Sequence, residues 1–416
     1  MNSFVVPLAS AGAAADVGGK GAALGELSRA GVAVPAGFVV TVDGFAAALS
    51  AVDPSGALRA EIEALPAADL PGITARAAAM RARIVETPLP ESVAAAVTSA
   101  YAALGGGPGG APGAGSPDVA VRSSATMEDS SAASFAGLQD TYLGVAGASS
   151  VLGHVRRCWA SLYNDESVAY RRRLAMPEAS LAMAVVVQLM VRPRAAGVMF
   201  TRSPVNGDRS VVAIEGTWGL GSALVAGDVT PDSFVISKIT GEITGRRVSA
   251  KDRVHSFLPN GRGVAVTDTP AALREAPCLT DDEIRALASI GRQVEAHYGT
   301  PQDIEWALLD EPGPSTAGAP VPSTAGAPGP STAGVPVPST AGVPGPSTAS
   351  TPPVPPASPA PPAPPAPPVP PASPAERIVL LQSRPETVWA ARTTGPVAAP
   401  KARAADHVLA LFGKQP

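Results

Sequence analysis

An eight-residue repeat rich in proline interrupts this chain between two segments that have the pattern of β-strands. Units resembling "PSTAGAPV" open at Pro314, Pro322, Pro330, Pro338 and Pro346. "DIEWALLD" (303–310) precedes the tract and "RIVLLQSRPE" (377–386) follows it, and both alternate apolar and polar residues as half-buried strands do. The two strands are expected to be hairpin partners, so the fold must close around a long insertion.

The cost of that insertion is small enough for a folded protein to bear. Lengthening a turn of about four residues to about 65 adds roughly 2–3 kcal/mol to the entropy of loop closure. Segments rich in proline favour extended polyproline conformations, so the tract (311–375) is predicted to project as a disordered loop. It is therefore neither a chain end nor a linker between domains.

Composition excludes several classes of protein. Hydrophobic residues make up 45% of 416 residues, which predicts a substantial core outside the tract. The net charge of −4 comes without a basic patch, so nucleic acid is not an expected partner. The longest apolar run (181–191) is too short to cross a membrane. Cys158 and Cys278 lack metal or disulfide spacing, and no signal peptide is evident, which favours the cytoplasm.

The order of periodic segments predicts a mixed α/β (α+β) fold. Helical periodicity dominates the first third of the chain, and one long helix is predicted over 151–174. Segments with strand patterns dominate from 182 to 248. A further helix is predicted from Asp281, with Thr280 as its N-cap and acidic residues in its first turn.

The stretch "GGKGAALGEL" (18–27) is the first candidate for binding chemistry. Two glycines and Lys20 stand where a helix is predicted to begin at once. Backbone N–H groups at a helix N-terminus, with a lysine beside them, can bind an anion. A purely structural turn is the more common role of such a pattern, and the P-loop motif is absent.

The stretch "VRSSATMEDSSAASFAGLQDTYL" (121–143) is the second candidate. Arg122 stands at the end of a predicted strand, and a loop of small and hydroxyl residues follows it. Such a loop can wrap a polyphosphate, and the arginine can contact phosphate oxygens with two N–H groups. A flexible serine- and alanine-rich loop is an equally good interpretation of these residues alone.

The strands on either side of the tract carry the third candidate. Alternation places Asp303 and Glu305 on one face, and likewise Gln382 and Arg384. If the strands pair, oxygen ligands suited to Mg²⁺ lie together with an arginine that can stabilise a transferring phosphoryl group. Without further information, a solvated sheet face with an ion pair is the more common arrangement.

Six stretches together resemble, in order and spacing, the ATP-grasp nucleotide-binding portion of the phosphoenolpyruvate synthase, pyruvate phosphate dikinase and rifamycin phosphotransferase superfamily. The resemblance covers about residues 4–310 and 376–390. The stretches are "GGKGAALGEL", "VRSSATMEDSSAASFAGLQDTYL", "GVMFTRSPVNGD", "WGLGSALVAGDVTPD", "DIEWAL" and "LLQSRPETVW".

This resemblance implies two lobes around a nucleotide cleft, with a mainly helical N-terminal region and a β-rich C-terminal lobe. The implied segments are 1–180 for the N-terminal lobe with its phosphate loop, 181–310 plus 376–390 for the C-terminal lobe, 311–375 for the insertion and 391–416 for a tail.

The resemblance also implies ATP and Mg²⁺ as ligands and assigns a role to individual residues. Lys20, Arg122 and Arg384 are expected to contact phosphates, and Arg122, Arg384 and Asp303 to serve catalysis, Asp303 as a supporting carboxylate. Glu305 and Gln382 match the metal ligands. The other implied nucleotide contacts are Ser123, Thr126, Gly137 and Thr141 in a closing loop, Gln188 near the adenine, and Arg202 and Glu215 in the pocket.

One position departs from the family pattern. Many relatives have an acidic residue where this chain has Ser222, in "GLGSALV". The polarity of the pocket is therefore expected to differ here.

Complete enzymes of this superfamily split ATP to AMP through a phosphorylated histidine in a motif resembling TxGGxxSHA. None of the four histidines (His154, His255, His297 and His407) has that context. The expected function is thus the ATP-binding component of a phosphotransferase whose histidine lies on a separate partner chain. A self-contained ATP-dependent kinase and a non-catalytic nucleotide-binding scaffold remain alternatives.

Overall fold

The computed structural model describes residues 3–105, 116–126, 129–130, 133–134, 140–258, 263–310 and 373–389, with only the backbone at 129–130 and 133–134. All of them belong to one compact unit, formed by residues 1–318 and 372–416. The repeat tract, including a second unit at 319–371, lies outside the described residues, as do residue 137 and the tail from 390.

Seven of the ten α-helices in the described ranges lie in the first half of the chain, and three lie in the second half. None of the helices in the described ranges is long and apolar enough to cross a bilayer. The helices are α1 (Ala14–Arg29), α2 (Val42–Val52), α3 (Ala57–Ala64), α4 (Leu70–Glu86), α5 (Glu91–Gly105), α6 (Ala148–Ala160), α7 (Asp165–Arg173), α8 (Ser222–Val225), α9 (Ala271–Arg274) and α10 (Asp281–Tyr298).

The single long helix predicted over 151–174 is wrong, because α6 and α7 are separate. A 3-10 turn follows α6, and Asn164 then adopts an extended conformation as the residue before α7. The Ser161 hydroxyl donates to the Cys158 carbonyl (2.7 Å), which uses an acceptor in the last turn of α6. The prediction for α10 is confirmed, since Thr280 and Glu283 form a capping box at its start.

Four antiparallel sheets hold the strands. The first sheet has the order β1-β2-β7-β3-β6 and the second β11-β10-β9-β8-β14-β15, while β12 pairs with β13 and β4 with β5. The strands are β1 (Val5–Pro7), β2 (Gly37–Val40), β3 (Val119–Ala125), β4 (Asp129–Ser130), β5 (Ala133–Ser134), β6 (Thr141–Val145), β7 (Met183–Leu189), β8 (Ala195–Phe200), β9 (Val211–Trp218), β10 (Asp232–Ser237), β11 (Ile243–Arg247), β12 (Arg253–Phe257), β13 (Val264–Asp268), β14 (Gln302–Leu308) and β15 (Ile378–Pro385).

The first sheet is covered on both faces. Phe38, Val121 and Val185 point to one face, where they join the core made with α2, α4, α5 and α6. Val39 and Val186 point to the other face and pack with α1. Because strand residues alternate between faces, Arg122 lies on the α1 face, in register with Val186. The first sheet and its helices form the first lobe.

The second sheet packs one face against α10, and its other face carries polar residues beside a small buried apolar cluster. Met199, Ile304 and Trp306 are buried in the core with Ile284 and Leu287 of α10. The second sheet, the β12–β13 hairpin and α8 to α10 form the second lobe. The predicted fold class, a mixed helix-and-sheet fold of the ATP-grasp kind, is confirmed.

The chain passes between the two large sheets at residues 190–194, which we call the crossover segment. β7 belongs to the first sheet and β8 to the second. The boundary predicted from the sequence between the two lobes lies at residue 180, ahead of β7. The apolar sequence of β7 gave no sign of its sheet, because its side chains are buried on both faces of the first sheet.

The two strands that flank the repeat tract pair as predicted. β14 and β15 are antiparallel neighbours, with Asp303 opposite Arg384 and Glu305 opposite Gln382. Where the tract leaves and returns, the Leu309 N–H donates to the Arg377 carbonyl (2.9 Å). This hydrogen bond closes the base of the hairpin independently of the residues between.

Candidate functional site

The side chain of Arg122 joins the two lobes. It extends from β3 in the first sheet to the end of the second sheet, where Nη2 donates to Glu305 Oε2 (2.8 Å) and to Gln382 Oε1 (2.9 Å). Nη1 donates to the Leu381 carbonyl (2.7 Å). Only 11% of the Arg122 side chain is exposed, against 33% for Glu305. Three residues that the sequence predicts for the site thus meet at one point. Charge-assisted hydrogen bonds such as the one to Glu305 are stronger than neutral ones.

A β-bulge creates the third acceptor of Arg122. The register between β14 and β15 shifts between Glu305 and Trp306, which leaves Leu381 without an opposite residue. Bulges of this kind redirect side chains and backbone groups beside functional sites. The carbonyl of Leu381 is therefore free of the strand ladder and accepts from the arginine.

The oxygen atoms of Glu305 and Gln382 fit a hard cation. A carboxylate and an amide carbonyl that share one donor nitrogen are close enough to bind one ion together. Across the described ranges, no group of three or more His, Cys, Asp and Glu side chains is placed to hold a metal. A Mg²⁺ ion here would thus take its remaining ligands from water or a bound anion, as Mg²⁺ usually does.

Asp303 and Arg384 lie next to this pair, on the same face and opposite each other. Arg384 Nε is 3.5 Å from Asp303 Oδ2, and the buried Asp303 Oδ1 has no hydrogen-bond partner among the described residues. Burial raises the pKa of Asp303 to about 6, with Arg384 opposing this rise and Glu386 adding to it. A buried carboxylate oxygen without a partner, next to the possible metal ligands, indicates that a bound water, ion or ligand completes its contacts.

Glu215 shares the polar face but stands two strands away from Glu305. Val198 of β8 is opposite both Glu215 in β9 and Glu305 in β14. Neighbouring strands are about 4.8 Å apart, so the two glutamate backbones are separated by about 10 Å. The structure thus places Glu215 further along the same face, outside the Arg122 contacts.

Arg202 follows β8 and forms a second cluster at the edge of this face. Its Nε donates to the Gly207 carbonyl (2.9 Å), and Nη1 lies 3.5 Å from Glu386 Oε2. The guanidinium stands 5.8 Å from the centre of the Trp389 ring. Arg202 therefore binds the segment that continues from β15.

The glycine turn before Lys20 is a kink at which two helical segments of α1 meet, so a helical segment does begin directly after Gly18, as predicted. The helix starts at Ala14, and Gly18 breaks it with φ +69° and ψ 169°. A β-carbon on Gly18 would lie 2.0 Å from the Ser124 carbonyl oxygen, so only glycine allows this close approach to β3. Lys20 lies in the turn after the kink and is half-buried.

Sequence reasoning missed Ser124, which holds this kink in place. Ser124 Oγ accepts from the Gly21 N–H (3.1 Å) and donates to the Val17 carbonyl (2.9 Å). It thus caps the helix after the kink, from a strand 103 residues away. Strict alternation could have found it, because Ser124 is two residues from Arg122 and shares its face.

The remaining predicted residues of the phosphate loop lie in different positions relative to Arg122. Ser123 points to the opposite face of β3 and contacts the Asp140 carbonyl (3.3 Å). Thr126 contacts the Ala182 carbonyl (3.3 Å), while the exposed Thr141 pairs in register with Arg122. Gly137 lies outside the described residues.

Gln188 is buried within the first sheet. Its Nε2 donates to the Pro35 carbonyl (3.2 Å), and only 2% of the residue is exposed. Its side chain therefore braces the sheet next to the crossover segment, and the N–H groups of the next two residues also bond within the protein, to the carbonyls of Ala36 and Asp118.

Ser222 is in contact with a histidine. Ser222 Oγ lies 2.9 Å from His255 Nδ1, and His255 Nε2 lies 3.1 Å from Asp228 Oδ2. Elsewhere, His154 contacts the Ser150 carbonyl and His297 contacts Glu26. His407 lies outside the described residues.

Comparison with known proteins identifies a nucleotide-binding domain. The family model for the pyruvate phosphate dikinase AMP/ATP-binding domain matches residues 14–314. A rifampicin phosphotransferase of a Streptomyces species is 45% identical over 298 residues, which cover 71% of this chain and 33% of that protein. A probable phosphoenolpyruvate synthase of Methanothermobacter thermautotrophicus is 41% identical over 295 residues, or 70% of this chain and 42% of that protein.

A further relative is named for a different activity. A prodigiosin synthesizing transferase of Serratia marcescens is 38% identical over 296 residues, which cover 71% of this chain and 30% of that protein. The chain thus spans between 30% and 42% of the length of these three relatives.

Proposed function

The chain belongs to the family of pyruvate phosphate dikinase AMP/ATP-binding domains, as its motifs predicted, and we propose that it serves as the nucleotide-binding component of an ATP-dependent phosphotransferase. The observation that carries the proposal is the contact of Arg122 with Glu305 and Gln382. This contact brings together an arginine, which is suited to bind phosphate, and a pair of oxygen atoms that are suited to bind Mg²⁺. It lies where the two lobes meet.

Without nucleotide, the Arg122 guanidinium is occupied by protein oxygens. When a triphosphate enters, its oxygens can replace Glu305 and Gln382 as acceptors for Arg122, which frees both side chains for a metal ion. Glu305 and Gln382 would then hold a Mg²⁺ ion, which would supply positive charge next to the phosphates. The exchange keeps Nη2 of Arg122 hydrogen-bonded in both states.

Arg384 and Asp303 extend the site toward the reacting phosphate. Arg384 lies two residues after Gln382 in β15, on the same face, and its side chain is partly exposed. Its guanidinium can stabilise charge on a transferring phosphoryl group there. Asp303 holds Arg384 in place through their 3.5 Å contact. Lys20, in the turn after the kink at Gly18, is proposed as a further phosphate contact.

The phosphoryl acceptor is proposed to be a histidine on a partner chain, with AMP and phosphate as products. This is supported by the location of the described histidines, since His154, His255 and His297 each contact residues outside the Arg122 cluster. The matched relatives, named as phosphotransferase and synthase, are also more than twice as long as the matched region. We also propose that the protein works in the cytoplasm, where the two cysteines, free in the structure, would stay reduced.

Nucleotide turnover tests the proposal directly. ³¹P NMR of the chain with Mg²⁺ and ATP should show AMP only after a polypeptide bearing the TxGGxxSHA motif is added. ADP formed by the chain alone would identify a self-contained kinase instead. ATP binding with no product under either condition would leave a nucleotide-binding scaffold, and no ATP binding at all would overturn the proposal.

A further inference from the structure

The β12–β13 hairpin, which we call the strap, forms its own two-stranded sheet. Its strands, Arg253–Phe257 and Val264–Asp268, pair with each other, and in the described residues β12 is linked to the second sheet by one isolated bridge, between His255 and Gly219 directly after β9. An isolated two-stranded hairpin is only marginally stable in water. Contacts outside the hairpin must therefore hold the strap in position.

The base of the strap is attached to the second lobe through His255. Both ring nitrogens of this histidine are engaged, Nδ1 by Ser222 and Nε2 by Asp228. The carbonyl of His255 also accepts from the Leu220 N–H (2.9 Å). These bonds join β12 to the start of α8, and the serine that departs from the family pattern provides one of them.

The end of the strap contacts the first lobe through two glycines. Gly144, in the edge strand β6, approaches Gly263 so closely that a β-carbon on Gly144 would lie 2.7 Å from the Gly263 Cα. Gly144 has φ +68° and lies where the register between β3 and β6 shifts. Its N–H donates to Met190 Sδ in the crossover segment (2.8 Å). The bulge brings the backbones of the two lobes into direct contact.

A second contact connects the strap to the crossover segment. The Arg192 guanidinium lies 4.3 Å from the centre of the Phe257 ring, a cation–π distance. Arg192 also lies 3.9 Å from Asp118, just before β3 of the first sheet. Phe257, Arg192 and Asp118 therefore form a chain of contacts from the second lobe to the first.

From these contacts we propose that the strap is a positioning element which fixes the two lobes against each other beside the crossover segment and so slows the release of bound nucleotide. In the described residues the chain passes between the large sheets only at 190–194, and α1 packs against both β7 and β15 in a core that the lobes share. The strap adds a connection at the other side of the crossover segment, which would limit a change in the angle between the lobes. This inference rests on the proposed function, in which nucleotide binding breaks the contact of Arg122 with Glu305 and Gln382. The strap contacts do not involve that site, so they remain to hold the cleft closed.

Two glycines of positive φ provide a matched test. Gly144→Ala adds a β-carbon that collides with Gly263, whereas Gly147→Ala, at φ +89°, meets no atom within 4 Å. Both changes carry the backbone strain of a left-handed residue, and only the first disturbs the strap. Release of a fluorescent methylanthraniloyl-ATP, measured by stopped flow, should be at least ~10-fold faster in Gly144→Ala than in the wild type, so the lifetime of the complex should be tenfold shorter. In Gly147→Ala it should stay within about twofold of the wild type.

Hydrogen exchange of the strap gives a readout that does not need nucleotide. Amides of 253–257 and 264–268 should exchange faster in Gly144→Ala than in Gly147→Ala, at equal thermal stability of the two variants. Phe257→Ala, compared with Val266→Ala at a position of the same hairpin that is 47% exposed, should repeat both effects without backbone strain. Equal release and equal exchange within each matched pair would overturn the proposal.

The same design separates this proposal from the proposed function. If the wild-type protein does not bind the fluorescent nucleotide, the nucleotide proposal fails, and the exchange comparison alone decides whether the strap holds the lobes. If the wild type binds and the two glycine variants release nucleotide at one rate, the strap proposal fails and the nucleotide proposal stands.

Discussion

Arg122 and Glu305 are 183 residues apart in sequence, and their side chains meet at 2.8 Å across the two lobes. Glu305→Gln keeps the shape of this contact but removes the charge that a metal ion requires. We expect the apparent Kd for Mg²⁺–ATP to rise at least ~10-fold, because a charged ligand is worth more than about 1.4 kcal/mol over a neutral one. Isothermal titration calorimetry measures this directly.

Glu295→Gln is the matched control for that experiment. Glu295 lies on α10 of the same lobe and pairs with Lys238 at 2.5 Å, so its substitution also breaks an ion pair. Its Kd for Mg²⁺–ATP should equal that of the wild type. Unchanged affinity in Glu305→Gln would remove this residue from the proposed metal site.

Adjacent serines on β3 should respond differently to substitution. Ser124→Ala leaves the Gly21 N–H without its cap, at a cost of about 1–2 kcal/mol in unfolding free energy. Because the cap holds the kink beside Lys20, nucleotide affinity should fall as well. Ser123 lies on the other face and makes one long hydrogen bond (3.3 Å), so Ser123→Ala should cost less than about half as much. Urea unfolding of both variants makes the comparison, and equal costs would contradict it.

This serine pair illustrates how far the sequence predicts the site. Alternation and motif order correctly placed Asp303 and Glu305 on one face, opposite Arg384 and Gln382, because strand pairing follows from a local pattern. The acceptor at Leu381 could not be predicted, since it depends on a bulge that is set by the pairing of distant strands. The helical turn ahead of Gly18 was not predicted for a similar reason, because the kink that joins it to the rest of α1 is stabilised by Ser124 from another element.

Removal of the repeat tract should leave the candidate site intact. We expect a variant with 311–372 replaced by Asn-Gly to bind Mg²⁺–ATP with a Kd within about twofold of the wild type, since Leu309 and Arg377 already close the hairpin. Its unfolding free energy should rise by roughly 2 kcal/mol, because the loop to be closed is shorter. A scrambled tract of equal length is the control and should change neither quantity. Loss of nucleotide binding on deletion would show that the tract contributes to the site.

Glu283 should make the stability of the protein depend on pH on the acid side. This buried carboxylate accepts from Arg194 (2.7 Å), Arg377 (3.0 Å) and the Thr280 N–H (2.9 Å). Burial opposes its charge, but the Thr280 N–H bond and Arg194 outweigh burial and hold the pKa of Glu283 below its usual value. A carboxyl with a lowered pKa stabilises the fold above its unfolded pKa of about 4.3, and this contribution is lost as the pH falls through the folded value.

Glu283→Gln should therefore cost about 2 kcal/mol of unfolding free energy at pH 7 and progressively less as the pH falls below about 4. Urea unfolding at pH 7 and at several values between pH 5 and 3 measures the difference. Asp282→Asn, an exposed neighbour paired only with Arg285 among the described residues, should show no measurable change. A constant difference between Glu283→Gln and the wild type across this range would mean that Glu283 does not carry the acid dependence.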